Sequence, residues 1–145
     1  MSRIENDVYV NDKYLNLDRE NKIKPMLRLT LKKEEKFFGP GVATLLHLVD
    51  EKGSIQSACS TMQMSYSKAW KILKRAEKEL SFPLLNSQNG GNNGGTSKLT
   101  PRGRDFLRRY DSVSEEIRKY AEVVFDRCFS GEENGQSGTD PDRNG

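Results

Sequence analysis

The stretch GSIQSACSTMQMSYSKAWKILKRAEKEL, residues 53–80, leaves the chain few choices. Ser54 and Ser65 each stand where a helix N-cap is wanted, because a serine hydroxyl can take up a free N–H of the first turn. Only one short helix fits between them. Its inward stripe is Ile55, Ala58, Cys59 and Met62, spaced i, i+3, i+4, i+7. The helix that follows carries Ala69, Ile72, Leu73, Ala76 and Leu80 on one face. At about 100° per residue, Ser67, Lys71, Lys74 and Lys78 lie opposite. Lys68 and Arg75 flank that polar face, and Tyr66 and Trp70 mark its other boundary. Small residues such as Ala58 and Cys59 let the two helices cross closely.

The flanking sequence extends this pair. Leu27, Leu29 and Leu31 alternate with Arg28, Thr30 and Lys32, the period of a half-buried strand. Gly39-Pro40-Gly41 then opens a helix whose apolar positions are Val42, Leu45, Leu46, Leu48 and Val49. His47 reads as a partly buried packing residue of that helix, and Gly53 closes it. Pro83 ends the basic helix. Leu84 and Leu85 start a short strand, Gly90–Gly95 read GGNNGG, and Ser97-Lys98-Leu99 form a return strand. Thr100 is a cap with proline at N1 behind it. Phe106, Tyr110, Val113, Ile117, Tyr120 and Val124 then step by four and three residues, an a/d seam on a long helix. Past Ser130 the composition turns to Gly, Asn, Ser, Asp and Glu, which predicts disorder. The expected organisation is an arm at 1–24, a domain at 25–101, a long helix at 102–130 and a polar tail at 131–145.

Charge is unevenly spread along the 145 residues. The chain carries +3 overall, but Ser65–Arg104 carries +6 and Gly131–Gly145 carries −3. A basic middle favours a polyanionic partner, although a solvated lysine-rich helix face would look the same. Hydrophobic content of 34% points to one small core with elements outside it. No run of 18 apolar residues is present, which argues against a membrane span, and the N-terminus lacks a secretory apolar run. The expected location is cytoplasmic. Cys59 and Cys128 are far apart in a chain with one histidine, so both read as reduced thiols buried as small apolar groups, with no metal site. No nucleophile–base set is spaced for catalysis, so no enzyme activity and no cofactor are expected.

Taken together, the order predicts a mainly α fold with a small β-hairpin wing: a winged helix-turn-helix followed by a long C-terminal dimerisation helix. The first turn of the second helix, Ser65, Tyr66, Ser67 and Lys68, would meet base edges in the major groove. Lys71 would sit at base or phosphate distance, and Lys74 would face the backbone. Glycine permits positive φ and close approach of N–H groups to phosphate, so Gly90–Gly95 reads as the tip of the wing. Asn92, Asn93, Thr96, Lys98 and Arg102 would contact DNA there, with Arg104 adding charge. A hairpin loop without contacts is the plain alternative. A nucleotide cradle is disfavoured because GxxxxGK[ST] is absent. Trp70 is expected to pack into the domain.

These residues also carry a resemblance. LRLTLKKEEKFFGPGVATLL, GSIQSACSTMQMSYSKAW, PLLNSQNGGNNGGTSKLTPRG and the long helix after them resemble the N-terminal DNA-binding domain of the ModE family of molybdate-dependent transcriptional regulators. The similarity spans roughly residues 26–129. MSYSKAW and the glycine-rich loop before LTPRG are specific to it, whereas the helix-turn-helix is shared with LysR-type regulators. The resemblance implies a homodimer binding operator DNA, a recognition helix at Ser65–Leu80, and dimerisation through the long helix. Full-length family members carry molybdate-binding domains after this part. The sequence ends at Gly145, so the expectation is that this chain alone does not bind molybdate. Its wing also departs from the family in the Asn92-Asn93 interruption and in a missing basic residue.

The reading is therefore a bacterial, homodimeric, sequence-specific DNA-binding transcriptional regulator. Two other readings stand beside it: a molybdate- or oxyanion-responsive binding or homeostasis protein, and a protein-interaction module on a winged-helix scaffold.

Overall fold

A computed structural model describes residues 23–88 and 95–133. The expected arm at 1–24, apart from its last two residues, lies outside the described residues, as do Asn92, Asn93 and residues 134–145 of the polar tail. The elements run β1 (Leu31–Lys32), β2 (Lys36–Phe38), α1 (Pro40–Lys52), α2 (Ile55–Met62), α3 (Tyr66–Leu80), β3 (Leu85–Gln88), β4 (Thr96–Leu99) and α4 (Pro101–Glu133). This is the mainly α winged helix-turn-helix with a long C-terminal helix that the sequence order predicts.

Both serine caps form. Ser54 accepts a hydrogen bond from the Ser57 N–H at 3.1 Å, and Ser65 accepts one from the Lys68 N–H at 3.2 Å. Pro40 starts α1 at N1, and Gly53 closes it with φ +82°. The ends of α2 and α3 use less expected residues. Gln63 (φ 54°) and Ser81 (φ 64°) take the left-handed conformation, so α3 stops at Ser81, before Pro83 is reached. For a residue with a Cβ that conformation costs about 1–2 kcal/mol, which surrounding packing must offset.

The core sits where α1, α2 and α3 meet the base of α4. Leu45, Leu46, Val49, Ala58, Ala69 and Ala76 are all buried, as the stripes predict, and Leu84, expected to start the strand that begins at Leu85, is buried with them. Phe38 at the end of β2 is fully buried, and the rings of Phe106 and Tyr110 meet it edge-on, each at 4.9 Å. Edge-to-face pairs of this kind add about 0.5–1.5 kcal/mol beyond burial.

The N-terminal leucine alternation is only partly a strand. Leu31 pairs with Phe38, but the ladder is irregular after it, and Leu27 stays exposed. The Leu29 carbonyl accepts instead from the Tyr110 hydroxyl at 2.7 Å, which ties the entering chain to α4 rather than to a sheet.

β3 and β4 pair antiparallel from Leu85↔Leu99 to Gln88↔Thr96. Ser97 and Leu99 point inward while Thr96 and Lys98 are exposed, the period of two of a half-buried strand. The hairpin base is bound to the rest of the domain. The Ser97 N–H donates to the Gly53 carbonyl at 2.8 Å, and the Thr100 N–H to the Leu84 carbonyl at 2.9 Å. Thr100 Oγ1 donates to the Pro83 carbonyl at 2.7 Å and accepts from the Gly103 N–H at 2.8 Å, so it caps α4 and closes the hairpin together. Gly103 lies against that junction. A Cβ there would meet the Leu84 backbone, with Leu84 Cα 2.9 Å away.

Two side-chain clamps fix α4 to α1. Arg104 makes a two-pronged pair with Asp50 at 2.9 and 2.7 Å, and His47 Nε2 lies 2.7 Å from Asp111 Oδ2. His47 is thus an exposed, paired residue rather than the packing residue expected, because its neighbour on α4 lies 64 positions away. Past these clamps α4 continues with a solvent-facing ladder, Arg118 bridging Glu115 and Glu122 at 2.7 Å each. Pairs at i, i+3 and i, i+4 contribute about 0.2–0.5 kcal/mol each to a helix.

Candidate nucleic-acid interface

The outer side of α3 is built by what its inner side must do. Ala69, Leu73 and Ala76 are buried against α1 and α2, which turns Ser67, Lys68, Lys71, Lys74 and Lys78 to solvent. Cys59 on α2 supports the turn before α3, its thiol lying 3.9 Å from the Ser65 carbonyl. Burial pushes that thiol above its ordinary pKa, so it stays a neutral packing group. Cys128, by contrast, is exposed on α4, where the sequence pattern suggested burial. Its helix has run beyond the core by that point.

Ser65 lies at the start of the face with its hydroxyl oxygen engaged as the cap. Tyr66 and Trp70 follow one turn apart and keep 52% and 47% of their surface exposed. Trp70 therefore does not pack into the domain as expected. Ala69 beside it fills the close approach to the core that an indole could not. Tyr66, Ser67, Trp70 and Lys71 line a shallow cleft of about 190 Å³.

The lysines of this face are not equivalent. Lys74 Nζ stands 5.4 Å over the Trp70 ring and 3.2 Å from Glu77 Oε1, so its charge is already shared. Glu77 in turn accepts the N–H groups of Leu84 (2.6 Å) and Leu85 (3.4 Å), joining α3 to the start of the wing. Arg75 pairs with Glu35 in the turn between β1 and β2. Among the described residues, Lys68, Lys71 and Lys78 have no such ion pair.

Of the predicted wing contacts, Thr96 and Lys98 stand exposed on β4. Arg102 is exposed too, but its guanidinium lies 4.3 Å over the Phe82 ring, behind the C-terminal end of α3. Arg104 is committed to Asp50, and its hydrogen bonds hold that carboxyl below its ordinary pKa.

The a/d seam of α4 divides. Tyr110 is buried, and Phe106 packs beside it against the domain's own aromatic cluster. Val113 (47%), Ile117 (42%) and Tyr120 (66%) are exposed, and Val124 is half-buried. Phe125 and Phe129 stack on each other at 4.3 Å farther along.

Residue spacing had no means of indicating the Glu77 bridge, the Gly103 contact or the Arg102–Phe82 stack. Each joins residues whose proximity depends on the finished fold. The one local hint was Glu77 itself, a carboxylate within an otherwise basic run.

Residues 43–104 match the bacterial regulatory helix-turn-helix protein, lysR family. That span runs from α1 through the first turn of α4. Over 84 residues the chain is 36% identical to the transcriptional regulator ModE of Haemophilus influenzae, covering 57% of this chain and 33% of that protein. It is 33% identical over 81 residues to the molybdenum transport protein ModE of Herbaspirillum seropedicae (56% and 28% covered). It is 29% identical over 75 residues to the molybdenum-pterin-binding protein MopB of Rhodobacter capsulatus (52% and 28%). The chain spans about a third of the length of the curated relatives it matches.

Proposed function

Starting from a LysR-type helix-turn-helix domain in a chain similar to ModE regulators, we propose that this protein is a homodimeric transcriptional regulator that binds duplex DNA with α3 in the major groove. The observation that carries the reading is the outer face of α3. Lys68 and Lys71 lie near its N-terminal end with no ion pair among the described residues, beside exposed Ser67 and Tyr66. The N-terminal half of a recognition helix is what reaches base edges, while ammonium groups along it neutralise phosphate. Lys98 and Thr96 extend the contact onto the backbone from the wing. Lys78 lies farther along the helix and adds to the attraction without reading sequence.

Two copies would join through Val113, Ile117, Tyr120 and Val124, the part of the seam left outside the core. A two-fold dimer presents two α3 helices to two half-sites. Phe106 and Tyr110 support that interface from within each domain.

The test is fluorescence anisotropy on duplex DNA at two salt concentrations. Affinity should fall steeply with salt. Lys71→Ala and Lys68→Ala should each weaken binding, and a lost phosphate contact should lower the logarithmic salt slope by about 1. Absence of binding to any duplex at low salt would overturn the reading.

A further inference from the structure

The DNA-binding reading above draws on Tyr66, Ser67 and Lys71 but gives no part to Trp70, or to the cleft that Trp70 forms with them. We propose that this cleft is a thymine-reading site, taking the 5-methyl group of thymine in the major groove. The proposal rests on the DNA-binding reading and adds to it the base class that is recognised.

Tyr66 is the first residue of α3 and Trp70 stands one turn later on the same side, i, i+4. Both belong to the part of the helix that comes nearest the base edges. Each leaves about half of its surface in water. The domain core is complete without them: Ala69, Leu73 and Ala76 supply the inward contacts of this helix. Two large rings beside Lys71 and Lys74 are therefore available for something outside the chain.

The lining of the cleft narrows what that is. Base edges in the major groove present hydrogen-bond donors and acceptors, and one apolar group, the methyl at C5 of thymine. Beside that methyl stands the O4 acceptor. The cleft offers the matching pair: two aromatic rings for the methyl, and the Ser67 hydroxyl and Lys71 ammonium as donors for O4. Lys71 in the lining, with Lys68 and Lys78 elsewhere on the same helix, suits a polyanion rather than a neutral apolar partner.

Lys74 has a different part in this arrangement. Its ammonium stands 5.4 Å over the Trp70 ring and is held on its other side by Glu77 at 3.2 Å. It steadies the indole from the side of the helix farther from the bases. The charge of Lys74 is therefore shared between the indole and Glu77.

The experiment uses the full chain and duplexes selected from a random pool. Each thymine of a selected duplex is replaced in turn by deoxyuridine, which removes only the methyl. At the thymines facing Tyr66 and Trp70, the replacement should weaken wild-type binding about fourfold, the loss expected for one buried methyl. In Trp70→Ala the same replacement should change nothing further, and the salt slope should stay at its wild-type value. Trp70 is the chain's single tryptophan, so its emission reports the contact directly. It should shift to the blue on the thymine duplex and shift less on the deoxyuridine duplex. The modified base tests the site without altering the protein, so a folding defect in Trp70→Ala does not decide the matter. Salt-dependent binding with no deoxyuridine effect at any position would overturn the thymine site and leave the DNA-binding reading standing. Absence of duplex binding at low salt would overturn both.

Discussion

The two halves of α4 share one heptad pattern and meet different surroundings. From Pro101 to Tyr110 the helix is part of the domain: Leu107 and Tyr110 are buried, and Phe106 is wedged between Phe38 and Phe82. From Val113 onward the same spacing puts Val113, Ile117 and Tyr120 into solvent. Periodicity specifies that a face is apolar; what covers it depends on how far the core reaches. Here the core ends between Tyr110 and Val113, next to the His47–Asp111 clamp.

Substitutions separate the halves most sharply where burial is deepest. Leu107→Ala, at 3% exposure, should cost about 2–5 kcal/mol of unfolding free energy, readable by urea denaturation. Gly103→Ala should cost about 1–3 kcal/mol, because its Cβ meets Leu84 backbone that cannot swing aside. If Gly103→Ala were neutral, the junction between the wing and α4 would be looser than its hydrogen bonds indicate.

Tyr110→Phe sharpens the comparison through pH. Burial and the nearby Asp111 charge push the Tyr110 hydroxyl up to about 12, and the positive charge of Arg28 opposes them only in part. A pKa raised on folding gives stability that is complete below the unfolded value of about 10 and is lost as pH climbs towards 12. Wild type should lose on the order of 2 kcal/mol across that window from this group. The phenylalanine variant should lack that component. At neutral pH it should be about 1 kcal/mol weaker for want of the hydrogen bond to Leu29. Equal alkaline slopes in the two proteins would show that the tyrosine is not the group responsible.

The smallest effect on stability is expected in the outer half. Ile117→Ala should shift the unfolding of a dilute sample by no more than about 0.5 kcal/mol. It should nevertheless lower self-association in sedimentation velocity, if the outer half holds the proposed dimer. A large loss of stability in dilute monomer would place Ile117 in a core after all.

The same contrast explains what could be read in the sequence. The caps at Ser54 and Ser65 were legible because each hydrogen bond spans three residues. The stripes of α1, α2 and α3 were legible because helical spacing alone puts Leu45, Ala58 or Leu73 on an inner face. His47 sits beside apolar neighbours in sequence, but its partner Asp111 lies 64 positions away. Trp70 stands at the boundary of the polar face, where spacing alone does not fix which way the ring turns, and Ala69 takes the place next to the core. The leucine alternation before β1 carried a strand signal, yet a strand needs a partner, and Lys36–Phe38 is long enough to pair with only two residues. Tyr110 then claimed the Leu29 carbonyl. The left-handed stops at Gln63 and Ser81 had no local signature, since glycine is the residue that usually announces them.

The clamps at the base of α4 have a mechanical consequence. With Arg104 held to Asp50 and Asp111 beside His47, the helix leaves the domain as a cantilever. From Asp111 to Glu133 it projects about 33 Å, at 1.5 Å per residue. A tilt of about 5° at the clamps would carry its far end through about 3 Å, nearly the 3.4 Å step between successive base pairs of one DNA strand. The buried base of the helix, Phe106, Leu107 and Tyr110, together with these polar contacts thereby sets the pointing accuracy of the longest element among the described residues.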